Sequence, residues 1–396
     1  MNVRSYSAVT ASYWGFTVTD GALRMLVLFY FHQLGYSPVK LAYLFLLYEA
    51  FGVVTNLFGG WIGSRLGLKF TLHTGLALQI ISLIILSGLN PDWGIALSVC
   101  YVMFSQALSG IAKDLTKMSS KSAIKLLVSD QHGTLFKWVA ILTGSKNALK
   151  GVGFLLGGLL LTNLGFRPSL WLMAGLLTII LLCSLFYLSE DIGKSKQKVK
   201  LKQLLSKTRE LNLLSSARLL LFAARDIWFV VALPVFLKSS LGWSFNAVGA
   251  FMASWVIGYG IIQAYAPRII KKKKSAAMWA ITLSIITALL ATAIQTDFYP
   301  VASIFIGLSL FGIIFALNSS LHSYLVLTLT NKDQVSVDVG FYYMANACGR
   351  LLGTFLSGSI FLIGGLNACL WASAIMLLLA GFISLPLRQQ DDLQQI

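Results

Sequence analysis

Acidic residues are what this sequence has least of. Fourteen Asp and Glu stand against 31 Lys and Arg in 396 residues, giving a formal net charge of +17. Charged residues of either sign reach only 11%, against about 25% in a soluble domain. A chain that is 57% hydrophobic cannot clothe a water-facing surface with so few charges, and a membrane protein with many spans is the class that remains. Cysteine occurs four times, at Cys100, Cys183, Cys348 and Cys369, each alone in an apolar stretch with no Cys-x-x-Cys spacing. Neither a disulfide framework nor a metal site is therefore expected. The four histidines are scattered, no nucleophile elbow is present and no soluble domain is evident. No cofactor and no enzymatic chemistry are expected. A cleavable leader is not expected either, because the first apolar run is long and no small-residue cleavage site follows it.

What the sequence has in abundance is apolar runs of about 20 residues, the length that crosses a hydrocarbon core as a helix. They fall near 10–31, 41–63, 70–88, 94–112, 139–161, 168–188, 213–236, 246–267, 276–294, 300–327, 340–362 and 367–386. The bases sit in the connectors between them, which argues against a nucleic-acid partner and for topology set by charge. Connectors on the side of the two termini hold 22 Lys and Arg, and the opposite side holds only Lys40, Arg167 and Lys238. Both termini are thus expected in the cytoplasm, with the lipid bilayer of a bacterial inner membrane around the spans. The stretch DIGKSKQKVKLKQLLSKTREL divides the chain near its middle. The expected organisation is a six-helix bundle over 1–189, a basic linker over 190–212, and a second bundle over 213–396 with a short tail.

The two halves echo one another. LGYS at 34–37 and LGWS at 241–244 align with a shift of 207, which also carries Asn56 to Gln263 and Arg65 to Lys272. A shift of 200 carries Lys150, Gly153 and Gly158 to Arg350, Gly353 and Gly358. Duplicated six-helix halves around a midplane site mark many secondary transporters. Between the second and third spans, GWIGSRLGLK resembles the loop motif of the major facilitator superfamily at Gly60, Arg65, Gly67 and Lys69. Ser64 replaces the acid of that motif, so the charge-relay latch ascribed to the loop is not expected here. The resemblance implies an all-α membrane protein with the major facilitator fold: twelve transmembrane helices in two pseudo-symmetric bundles, moving by alternating access.

Six bases remain inside the spans: Arg24, Lys146, Lys150, Arg218, Arg225 and Arg350. Only Asp20, Glu49 and Asp226 are there to meet them. A buried surplus of cation is unfavourable without a counterion, so a visiting anion is expected. Arg24, Lys150, Arg225 and Arg350 lie nearest the middles of their spans and are the candidate anion-holding residues. Arginine's planar fork suits phosphate or carboxylate and stays charged when desolvated. Lys146 and Arg218 lie nearer the cytoplasmic mouth, where snorkelling is an equal reading. Asn56, Gln106 and Gln263 are candidate neutral donors, or packing amides between helices. Asp20, one turn from Arg24, and also Glu49 and Asp226, are candidate proton carriers whose protonation frees a base; static ion pairing is the other reading.

TDGALRMLVLFYFHQLGYSP (19–38), QALSGIAKDLTKMSSKSAIKLL (106–127), FKWVAILTGSKNALKGVGFLLGGLLL (136–161) and ARDIWFVVALPVFL (224–237) resemble the ArsJ organoarsenical efflux permeases. The resemblance implies export of 1-arseno-3-phosphoglycerate and hence arsenate resistance. It also implies a functional link, without direct binding, to glyceraldehyde-3-phosphate dehydrogenase, which forms that ester when it uses arsenate. Such a cargo carries As(V) on oxygen and asks for no thiols. Organic-phosphate exchange is the alternative. Within the second block, Lys113, Lys117, Lys121 and Lys125 recur every four residues, a basic stripe on one face if helical. It either gathers anions at the cytoplasmic mouth or simply sets topology.

Overall fold

Backbone N–H and C=O groups in hydrocarbon have no water to bond, so a chain this apolar satisfies them within helices. The computed structural model describes residues 3–127, 134–188, 207–270, 275–296, 298–330 and 335–387. Every regular element among them is a helix: α1 (Val3–Gln33), α2 (Pro38–Leu66), α3 (Leu68–Ser87), α4 (Ile95–Leu127), α5 (Thr134–Leu164), α6 (Phe166–Tyr187), α7 (Arg209–Phe229), α8 (Ala232–Ser239), α9 (Phe245–Ile269), α10 (Ala276–Gln295), α11 (Pro300–Thr328) and α12 (Val335–Ser384). Among the described residues ten stretches are long and apolar enough to cross a membrane. The longest, Val337–Ser384, is two crossings joined at Gly364 and Gly365, where the helical φ/ψ is lost. Helix α1, which carries Asp20 and Arg24, falls below the same apolarity yet completes the first bundle. Together these give the twelve expected spans.

Two expected boundaries move. The fourth span does not end at 112, because nothing in 113–125 stops a helix: there is neither proline nor glycine. Helix α4 runs on to Leu127 and carries Lys113, Asp114 and Lys117 with it. Likewise α7 begins at Arg209, inside the expected linker, where the Thr208 side chain caps Leu211 N–H at 3.3 Å. Residues 190–206 of the expected linker lie outside the described residues.

Glycines set how the helices meet. A Cβ on Gly153 of α5 would lie 2.3 Å from Val18 O of α1, and one on Gly157 2.4 Å from Ala22 O. In the second bundle a Cβ on Gly349 of α12 would overlap Leu219 O of α7, and one on Gly353 would lie 2.6 Å from Ala223 O. Residues 18 and 22 thus map onto 219 and 223, a shift of 201, and 153 and 157 onto 349 and 353, a shift of 196. In this register Arg24 falls on Arg225, as symmetry-related spans should have it. Lys150 falls on Asn346, and Arg350 sits one turn further along. The shift of 200 read from the sequence was therefore off by one turn: glycines spaced by four make such a slip invisible in the letters. Across the two bundles α5 packs on α9 and α2 on α12, with small residues again at the α5–α9 contact, where a Cβ on Gly144 would lie 2.5 Å from Gly260 O.

The seventh span is interrupted. Pro234 supplies no N–H, and the chain leaves helical geometry at Val231 (φ −125°, ψ −48°). The Ser357 hydroxyl of α12 accepts both freed donors, Val231 N–H at 3.3 Å and Ala232 N–H at 3.1 Å.

Candidate functional site

Helices α1, α4, α5, α7, α9, α11 and α12 enclose a cavity, with about 110 Å³ of space that the centres of water molecules can reach. Its lining runs from Tyr13 to Arg24 on α1, Thr143 to Phe154 on α5, Arg218 to Phe229 on α7 and Tyr343 to Arg350 on α12. Each of these helices starts on the side of the N-terminus, so the cavity extends from mid-membrane toward that side. On the other side Phe154 of α5 faces Phe229 of α7 at 6.4 Å between centroids, and Phe229 packs on Trp255 of α9 at 5.0 Å. Aromatic rings from both bundles thus close the far end.

Eight bases line the cavity: Arg24, Lys113, Lys117, Lys146, Lys150, Arg218, Arg225 and Arg350. Four carboxylates answer them among the described residues. Glu49 of α2 is fully buried and touches three bases: Arg350 at 2.6 Å, Arg24 at 3.2 Å and Lys113 at 3.4 Å. Asp226 holds Arg225, whose Nε donates at 2.6 Å, and Arg350 at 3.1 Å. Asp20 accepts from Lys150 at 2.8 Å and from the Tyr48 hydroxyl at 2.5 Å. Asp114 pairs with Lys117 and, at 3.5 Å, with Lys113. Glu49 and Asp226, with Arg350 between them, tie the first bundle to the second.

All four expected anion-holding residues line this cavity. The expected pairing of Asp20 with Arg24 is corrected. Four residues apart on one helix, they diverge: Asp20 turns to Lys150 on α5, while Arg24 turns to Glu49 on α2 and lies 5.0 Å from the Phe45 ring. Glu49, which lacked an evident partner in sequence, is the most heavily paired carboxylate in the site. Each of the four bases has a carboxylate, but only three carboxylates serve them, and Glu49 is shared with Lys113 as well. The positive excess read from the sequence thus persists in space.

Lys113 and Lys117 belong to the cavity rather than to a stripe at its mouth, because α4 continues through them; the Lys113 ammonium sits 3.9 Å from the Tyr48 ring centroid. The side chains of Lys121 and Lys125 lie outside the described residues. Of the three amides only Gln263 reaches the cavity, where it accepts from Asn147 at 2.5 Å. Asn56 donates instead to Gly52 O of its own helix at 2.6 Å, and Gln106, buried, does not line the cavity either. In the loop motif Gly67 takes φ +92° between α2 and α3, which explains its glycine. Arg65 lies 4.2 Å over the Trp61 ring, and Lys69 lies by a small cleft with Leu72 and Ser119. The surroundings of Gly60 lie outside the described residues. Sequence reasoning missed Asp114 and Tyr48; the unbroken lysine spacing through 113–125 was the signal that α4 continues.

The family model described as Major Facilitator Superfamily matches residues 7–230 and 214–395. No curated protein sequence matches the chain. Among solved structures, the proton:xylose symporter XylE bound to 6-bromo-6-deoxy-D-glucose is similar with a TM-score of 0.76 at 12% identity, over 100% of this chain and 99% of that one. The human organic anion transporter MFSD10 (TETRAN) is similar with a TM-score of 0.70 at 16% identity, over 96% and 98%. A POT family transporter in complex with thioalcohol conjugated peptide gives 0.73 at 15%, over 96% and 95%. At these identities the likeness establishes the fold.

Proposed function

We propose that this chain, which belongs to the Major Facilitator Superfamily and is a transporter rather than an enzyme, exports a small organic oxyanion. The cargo we assign is 1-arseno-3-phosphoglycerate, carried from the cytoplasm across a bacterial inner membrane, with arsenate resistance as the outcome. One observation carries the anion class: Arg24, Lys113, Lys117, Lys150, Arg218, Arg225 and Arg350 line one cavity, and only four carboxylates among the described residues meet these seven bases. A surplus of desolvated cation is costly until an anion enters. The arsenical itself rests on the blocks at 19–38, 106–127, 136–161 and 224–237, which resemble the ArsJ permeases.

The mechanism follows from the shared carboxylates. In this structure Arg24 and Arg350 rest on Glu49, Arg225 on Asp226 and Lys150 on Asp20. An entering oxyanion with several oxygens competes for the same donors, and the arginine forks grip it bidentately. As Arg350 leaves Glu49, the link between the bundles loosens, and the rings of Phe154 and Phe229 are free to part. Protonation of Asp20, Glu49 or Asp226 would have the same loosening effect, which gives a pH gradient a point of entry. The organic anion transporter among the structural neighbours accords with this class of cargo.

The decisive experiment is uptake of freshly generated arseno-ester into everted vesicles, with and without a pH gradient. Alanine at Arg24, Lys150, Arg225 or Arg350 should abolish both uptake and arsenate resistance while insertion is preserved. Unchanged resistance in all four variants removes the site. Competition by 3-phosphoglycerate without uptake of the arseno-ester assigns phosphate-ester exchange instead.

A further inference from the structure

Arg218 differs from every other guanidinium in the cavity. It is 4% exposed, and among the described residues no carboxylate lies within ion-pair distance of it. Its partners are neutral: Nε donates to Asn346 Oδ1 at 2.9 Å, and Nη1 donates to Ser319 O at 3.1 Å and Ser319 Oγ at 3.0 Å. Its plane is flanked by the Phe222 ring at 4.1 Å and the Tyr342 ring at 5.2 Å. Around Ser319 converge the Tyr259 hydroxyl at 3.2 Å and the Gln263 amide at 3.4 Å, and Gln263 in turn accepts from Asn147 at 2.5 Å. Arg218, Tyr259, Gln263, Ser319, Asn346 and Asn147 all line the cavity.

A buried arginine without a counterion is kept charged by its intrinsic basicity, and hydrogen bonds to neutral oxygens only partly replace its lost hydration. We propose that Arg218 and this neutral polar cradle form a second anion subsite, distinct from the salt-bridged cluster, which holds the far end of a ligand carrying two anionic groups. The inference rests on the anion reading above and refines it. Placement supports it. Arg218 stands seven residues before Arg225 on the same helix, roughly 10 Å along the axis, and Asn147 stands one turn from Lys150 on α5. A three-carbon chain with an acidic group at each end, its ends grasped by long side chains, spans such an interval.

The chemistry of the two subsites differs in a way that sorts ligands. In the cluster an anion must displace Glu49, Asp20 or Asp226 from the bases. At Arg218 it displaces no charge, only neutral hydrogen bonds. The second anionic group therefore supplies selectivity: ligands charged at one end engage the cluster alone, whereas ligands charged at both ends engage both subsites. Surrounding hydroxyls and amides suit a carboxylate, a tetrahedral oxyanion or a neighbouring alcohol equally, since each offers a donor and an acceptor.

The test compares two stable probes of similar size on the full-length protein in nanodiscs: 3-phosphoglycerate, charged at both ends, and glycerol 3-phosphate, charged at one. The unmodified protein should prefer the first by about tenfold or more, and Arg218→Gln should reduce that preference to within about twofold. Arg218→Lys keeps the charge but loses the fork, and should lower the preference by about threefold. Full preference in either variant overturns the second subsite while leaving the transport reading intact. Arg24→Gln should weaken both probes together. No binding of either probe to the unmodified protein overturns the anion reading itself, and this inference with it.

Discussion

Replacing Glu49 with Gln tests whether the cluster is a lock that an anion opens or merely structural cement. The substitution keeps the shape and removes one negative charge from between Arg350, Arg24 and Lys113, at 2.6, 3.2 and 3.4 Å. At an effective dielectric of about 20, a pair 4 Å apart is worth roughly 4 kcal/mol before desolvation is counted. Loss of one partner from a buried pair typically nets about 3–5 kcal/mol; here Arg24 loses its carboxylate, while Arg350 keeps Asp226 and Lys113 keeps Asp114. The empty protein should therefore unfold well below the wild type in a thermal scan in detergent. The same change removes the competitor that an anion must displace. Binding of 3-phosphoglycerate should tighten by tenfold or more, since about 1.4 kcal/mol is a factor of ten, and saturating ligand should restore more of the lost stability than in the wild type. Uptake into everted vesicles should nonetheless slow, because the ligand is released less readily. Destabilisation with unchanged or weaker binding would refute the reasoning and leave Glu49 as a structural ion pair.

Three further outcomes follow from geometry. Gly349→Ala places a methyl 2.1 Å from Leu219 O, and the helices must separate; a cost of at least about 1–3 kcal/mol is expected, read as a fall in the thermal midpoint. Ser357→Ala strips the acceptor from Val231 N–H and Ala232 N–H, and each buried donor left unmet costs about 1–3 kcal/mol, measurable in the same scan and as faster amide exchange at those two residues. Gln106→Ala should leave oxyanion affinity unchanged, because that amide is buried away from the cavity lining; loss of affinity with preserved stability would place it back in the site.

The number of spans was legible because lipid imposes a length and a polarity on every crossing. Even the pair fused in α12 was visible at Gly364 and Gly365. The midplane cations were legible for the same reason: an arginine in an apolar run has few innocent places to be. Partner choice was not. Asp20 and Arg24 are neighbours in the letters, yet the rotation of α1 sends one toward α5 and the other toward α2, a matter of tertiary packing alone. Glu49 had no partner nearby in sequence because its partners lie 25, 64 and 301 residues away. Lys113 and Lys117 looked like connector charge because hydropathy drops there, whereas helix termination depends on breakers and caps. The loop motif at Gly60, Arg65, Gly67 and Lys69 pointed to the fold and says nothing about the cargo.

The two bundles match in register but not in stiffness. Among the described residues the seventh crossing carries a joint, at Val230 and Val231, with a single serine from α12 holding both loose donors. Bending there requires exchanging two hydrogen bonds with one hydroxyl rather than unwinding a turn of helix. The eight-residue α8 is thus joined to α7, which carries Arg218, Arg225 and Asp226, by side-chain hydrogen bonds rather than by continuous helix. An otherwise symmetric pair of bundles thus carries in one arm a break that a single hydroxyl holds.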